Sequence, residues 1–206
     1  DKRPAPISCH VQVKTIWADK RSVSLRLSSA ERLAKDPKPS FIYVLAVGPD
    51  LSPEAAFLIH LTKESLGKIL RRLRKEHQKA GGPAAINKKF ISLNLSLGSE
   101  IDTTGRALKS AIERAVGGPL ALRDYIARKR DELAALGFSG ASYTANVTFK
   151  AAHIDELVEA FLGMRPIGFS KMEHSETRFG ITLPVLDLSG QAGEMTITPT
   201  QPKPCR

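Results

Sequence analysis

The stretch Cys9–Trp17, CHVQVKTIW, decides how the rest of the chain is read. Apolar and polar residues alternate along it, which predicts a strand with Val11, Val13 and Trp17 on one side. The other side carries His10, Gln12 and Lys14. Residues two apart in a strand point the same way, so Gln12 and Lys14 project together with Cα atoms roughly 6.5–7 Å apart. If Val11, Val13 and Trp17 enter a core, the strand is internal and its polar face lines a cleft. The alternative is an edge strand with a solvated face, where lysine discourages edge pairing.

Around this stretch the pattern is that of an α/β protein with a mixed sheet flanked by helices. A second strand is expected at 22–27. FIYVLAVG from Phe41 and AAFLIHL from Ala55 are apolar enough to be strands covered on both faces. Between the 22–27 strand and Phe41, SSAERLAKDPKP reads as a short helix capped by Ser28 or Ser29 and stopped before Pro37. A helix is predicted from Lys63 to Lys79, with Leu66, Ile69, Leu70 and Leu73 on one stripe, Thr62 as N-cap and Gly81 and Gly82 ending it. KKFISLNLS resumes strand alternation. Helices follow at 103–116 and from Pro119 to Leu136.

From Phe138 the character changes to a small α+β unit. SYTANVTFKA and TRFGITLPVL read as strands, and HIDELVEAFLG as a helix burying Ile154, Leu157, Val158 and Phe161. MTITPT offers a last short strand before a Pro-rich tail. Two parts are therefore expected, 1–137 and 138–206.

The 206 residues carry a formal charge of +10, all of it in the first part: residues 1–137 hold 25 basic and 14 acidic side chains, residues 138–206 hold 6 and 7. A basic surface of this size suits either a polyanionic partner or simple solubility. No apolar run approaches the length of a membrane span, and none is expected. Cys9 and Cys205 match no disulfide or metal framework, which favours a reducing, cytoplasmic setting. The opening at Asp1 and the ending TQPKPCR read as those of a segment of a longer protein.

A lysine and an oxygen-bearing amide on one strand face have a use in phosphodiester hydrolysis. The ammonium orients attacking water and stabilises charge on the phosphorane, while the oxygen two residues earlier helps hold Mg²⁺ beside a carboxylate of the neighbouring strand. HVQVKT, the strand SVSLRL, the short helix, and PSFIYVLAV with AAFLIHL after it resemble the PD-(D/E)XK, restriction-endonuclease-like, nuclease superfamily. More narrowly they resemble the Gln-x-Lys domains of bacterial antiphage defence proteins. The resemblance covers about residues 7–95. It implies Gln12 and Lys14 as catalytic residues, Gln12 as a ligand of Mg²⁺ or Mn²⁺, and a metal-dependent DNA endonuclease activity. It also implies an acidic residue on a preceding strand. A turn near Pro4 and Ala5 would place Asp1 near Ser8, short of Gln12, so Asp1 is a weak ligand candidate and the main carboxylate is expected upstream of the residues given.

The basic side of the 63–79 helix, with Lys68, Arg71, Arg72, Arg74 and Lys75, joins Lys88 and Lys89 as a track for a DNA backbone; a solvated helix face is the alternative. His10 either approaches the scissile phosphate or packs at the strand end. The other histidines show no ligand spacing. GGPAAINKK follows a helix and lacks the ending of a phosphate loop, so no nucleotide site is read there. Arg178-Phe179-Gly180-Ile181 is read as the start of a strand with a glycine bulge that serves packing. Two functions emerge: a DNA endonuclease effector whose 138–206 unit serves homo-oligomer assembly or joins a sensor domain, and a catalytically silent nucleic-acid-binding or assembly module.

Overall fold

The chain is described by a computed structural model at residues 7–140 and 142–198. Its elements run β1 (His10–Trp17), β2 (Ser22–Arg26), α1 (Leu27–Lys35), β3 (Ser40–Val47), β4 (Pro53–His60), α2 (Lys63–Ala80), β5 (Phe90–Asn94), β6 (Ser99–Ile101), α3 (Gly105–Val116) and α4 (Leu122–Ala135). After these come β7 (Tyr143–Lys150), α5 (Ile154–Phe161), β8 (Ile167–Arg178), β9 (Ile181–Pro184) and β10 (Gly193–Met195). The chain divides into two units, Asp1–Gly137 and Phe138–Arg206. The fold class is mixed α/β, as the alternation of elements predicts.

In the first unit the sheet order is β1-β3-β4-β6, with β1 parallel to β3 and the other pairs antiparallel. The parallel pair needs a crossover, and α1 supplies it. The continuous apolar runs of β3 and β4 are explained by burial on both faces. On one face Phe41 and Leu58 pack with Val116 of α3 and Tyr125 of α4, joined by Val11 and Ile112. On the other, Ile42, Val44 and Ile59 are fully buried on the side where α1 meets β3. α2 packs along α1 and β5.

Three expectations change. The strand 22–27 is not part of the main sheet: β2 pairs with β5 in a separate antiparallel ribbon. α1 starts at Leu27, so both predicted serine caps, Ser28 and Ser29, lie inside the helix, and Arg26 at its N-cap makes no side-chain capping bond. β1 lies at the sheet edge among the described residues, and Val13 and Trp17 are 58 % and 52 % exposed. Its odd-numbered side enters the core only at Cys9 and Val11. Nothing beyond β3 pairs with it among the described residues, so the second half of the strand has no layer to enter.

The helix signals of α2 and α3 hold. Thr62 caps α2, its N–H donating to Ser65 Oγ at 3.1 Å, and Gly81 closes the helix with φ 67° in the left-handed region. Thr104 Oγ1 accepts from Ala107 N–H at the start of α3, and Gly117 ends it. The predicted start at Pro119 is a short 3₁₀ turn, with α4 proper beginning at Leu122. Gly98 runs so close to β4 that a Cβ there would sit 2.7 Å from the Leu58 carbonyl oxygen.

The second unit is an antiparallel sheet in which β8 pairs with β7 along one side and with β9 and β10 along the other. The strand β8 is longer than the pattern predicts, because KMEHSETR, Met172 apart, is polar on both sides of its alternation. Phe179 (φ 55°) and Gly180 (φ 70°) form the two-residue turn of the β8–β9 hairpin rather than a bulge. The short strand expected in MTITPT falls at Gly193–Met195 instead. On α5, Ala160 is buried and Leu157 half-buried, whereas Ile154, Val158 and Phe161 are exposed, contrary to the predicted apolar side.

Candidate functional site

The parallel register sets Gln12 beside Ile42 and Lys14 beside Val44, so both side chains lie on the α1 side of the sheet. Each is half-buried. The strand thus brings Gln12 and Lys14 together on one face, at an edge rather than in the closed cleft that the sequence suggests. Gln12 Nε2 makes a long 3.4 Å contact to the Val13 carbonyl, which leaves its oxygen available.

His10, on the same face, is not simply packed. Its Nε2 lies 2.8 Å from Asp36 Oδ2, just after α1, and Asp36 Oδ1 accepts from Lys38 N–H at 2.8 Å. Burial pushes the Asp36 carboxyl up, but the Lys38 N–H, His10 and Lys129 outweigh it and hold the carboxyl below its ordinary range. The sequence does show DPKP as a helix stop, but nothing in it places that aspartate against the start of β1.

The donor set does not by itself make a magnesium centre. Mg²⁺ takes oxygen ligands and normally a carboxylate. Among the described residues Gln12 offers one neutral oxygen, Asp36 is committed to His10 and Lys38, and no cluster of three His, Cys, Asp or Glu side chains could hold a metal ion. Asp1 lies outside the described residues.

The basic track is only partly assembled. Lys68, Arg71 and Lys75 are exposed at helical spacing on α2, and Lys88 and Lys89 are exposed after it. Arg72 is instead turned to Glu76 at 3.0 Å, and Glu76 also takes Lys79 at 3.7 Å and Lys89 at 3.5 Å. Burial acts to raise the Glu76 carboxyl, and these three cations outweigh it and lower it. Arg74 is half-buried with an interaction of its own.

A second group of polar side chains is gathered from β4 and the start of α2 and from α4, which lies far from them in the sequence. His60, Thr62, Lys63, Tyr125, Arg128 and Glu132 line a cavity of about 270 Å³ beside the buried Lys129. The His60 ring stacks on Phe41 and Tyr125 with centroids 4.6 and 5.5 Å away, and its Nε2 shares a 2.6 Å hydrogen bond with the Tyr125 hydroxyl. Burial, with Lys129 second, pushes His60 down to about 4. Burial and then Glu132 push the Tyr125 hydroxyl far up, against Arg128. The pair is neutral and serves as a packed polar joint between β4 and α4. Glu132 also accepts from the Lys63 N–H, where α2 starts with φ 44°.

No protein-family model matches the chain, and comparisons with curated proteins and with solved structures find no match. No helix among the described residues is long and apolar enough to cross a membrane.

Proposed function

We propose that the first unit is a DNA-processing domain of the endonuclease type, in which the Gln12–Lys14 face of β1 meets the scissile phosphodiester. The observation that carries the reading is the pairing of Gln12 and Lys14 on one half-buried strand face, beside a parallel β3 and next to a carboxylate-held histidine. Lys14 would bind the phosphate and stabilise the negative charge that grows on it, with Gln12 orienting the same group. The exposed Lys68, Arg71 and Lys75 would hold the DNA backbone without reading sequence. By resemblance the domain is the effector of a bacterial antiphage defence protein, working with Mg²⁺ or Mn²⁺ and assembled as a homo-oligomer.

A second reading is favoured by the donor set. With one neutral oxygen and no free carboxylate beside it among the described residues, the same face could bind a phosphate without cutting. The two readings separate in one experiment: binding of linear duplex DNA in EDTA, and conversion of supercoiled plasmid in Mg²⁺ and in Mn²⁺. The endonuclease reading expects both; the binding reading expects the first alone.

A further inference from the structure

α4 is a charged helix, yet its one lysine is among the largest fully buried side chains of the described residues. Lys129 is 2 % exposed. Its Nζ donates to the Lys38 carbonyl at 2.9 Å and to Ser40 Oγ at 3.3 Å, and reaches the Leu33 carbonyl at 3.5 Å. These acceptors come from the end of α1, the turn after it and the first residue of β3. An ammonium with three donors can tie three such points, which no apolar side chain of the same length can do.

The turn that Lys129 ties is the turn that holds the start of β1. His10 N–H donates to the Pro39 carbonyl at 2.8 Å, and His10 Nε2 meets Asp36 Oδ2 at 2.8 Å. Among the described residues β1 has a hydrogen-bonded neighbour on one side only, so these two bonds fix the end of the strand nearest Gln12. We infer that Lys129 is a positioning residue for the Gln12–Lys14 face, acting through the 36–40 turn and the Asp36–His10 pair.

Burying an ammonium is costly, and the cost shows. Burial lowers Lys129 to about 8, against the opposing pull of Asp36 and Glu132. A methionine would fill the same space without that penalty, so the lysine is explained by what it holds in place. Asp36 links both halves: it pairs with His10 on one side and feels the Lys129 charge on the other.

The inference rests on the reading of the Gln12–Lys14 face as the reaction site, but its first test does not need cleavage. The Gln12 side-chain amide and the β1 amides are followed by ¹⁵N NMR in the wild type, Lys129→Met, Asp36→Asn and the double variant. Lys129→Met is expected to shift or broaden the Gln12 signals. Asp36→Asn is expected to do the same, with the double variant adding little to either, because the two changes interrupt one path. Gln12 signals at their wild-type positions in a folded Lys129→Met protein, or effects that simply sum in the double variant, overturn the inference. If Lys129→Met does not fold, Ser40→Ala removes one of the three acceptors and is expected to move the same signals less; no movement overturns the inference equally.

In a cleavage assay Lys129→Met is expected to lower kcat roughly 10–100-fold with KM for DNA unchanged, as a displaced reactive group does. A wild type that does not cleave, with the NMR coupling intact, removes the endonuclease reading and leaves the coupling. Cleavage by Lys129→Met at the wild-type rate removes the positioning role and leaves the endonuclease.

Discussion

Acid should loosen the first unit through His60, and the size of the effect follows from its surroundings. The ring is stacked between Phe41 and Tyr125, takes a hydrogen bond with the Tyr125 hydroxyl, and sits near the Lys129 ammonium. Its ordinary value of 6.5 falls to about 4 in the folded state. Between those two values the unfolded chain binds a proton that the folded chain refuses. The His60 contribution is therefore fully present above pH 6.5 and is lost progressively as the pH falls toward 4. At 1.36 kcal/mol per unit the full loss is on the order of 3 kcal/mol, of which about 2 kcal/mol falls between pH 7.5 and 5. Asp36 and Glu76, both lowered below ordinary carboxylate values, lose their contributions only at more acid pH and leave this window to His60. The assay is urea unfolding at pH 7.5, 6.5, 5.5 and 5, read by Trp17, the single tryptophan, which reports on the first unit. His60→Gln should be less stable than wild type at pH 7.5 yet lose about 2 kcal/mol less on acidification. Parallel pH slopes for the two proteins would refute the argument.

Three further outcomes are expected. Gly98→Ala should destabilise the first unit by about 1–3 kcal/mol in urea, since its Cβ meets the Leu58 backbone, which cannot swing aside, as well as the buried Ile59 side chain; an unchanged midpoint would show that the β4 contact relaxes. Reversal of Lys68, Arg71 and Lys75 to Glu should weaken binding to duplex DNA of any sequence and reduce the slope of log affinity against log salt by about 3, near 0.9 per phosphate contact; an unchanged slope would make that face merely solvated. Arg72→Glu, by contrast, should lower the melting temperature, because it sets a second carboxylate against buried Glu76; an unaltered melting temperature would show that Lys79 and Lys89 suffice for Glu76.

The parts of the fold legible in the sequence are those set by local pattern. FIYVLAV and AAFLIH announce strands buried on two faces because every position but His60 at the end is apolar or aromatic, and Thr62 and Gly81 bracket α2 because helix ends have local chemistry. Pairing over long distances is a different matter. VQV reads equally well as an internal or an edge strand, and only the pairing partners decide; β2 finds β5 some 65 residues on by a register no local signal encodes. Gln12 and Lys14 share a face by strand geometry alone, whereas the Asp36–His10 pair depends on how the turn after α1 returns to β1. Lys129 did leave a trace. It continues the stripe of Leu122, Tyr125 and Ile126 on α4, at the helical spacing of a buried face. The basic residues of α2 read as one track because sequence shows charge and not partners, whereas in the fold Glu76 claims Arg72 and Lys89.

The reading of the Gln12–Lys14 face is tested most directly by plasmid cleavage with the wild type and Lys14→Ala side by side, in Mg²⁺ and Mn²⁺. Circular dichroism and duplex binding in EDTA serve as controls for fold and docking. The expected result is nicking or linearisation by the wild type and a rate lower by about 10²–10³-fold for Lys14→Ala, the loss of a single charge-stabilising donor, with binding largely retained. A Lys14→Ala protein that cuts at the wild-type rate, or a wild type that binds duplex DNA and leaves it intact in both metals, would contradict it.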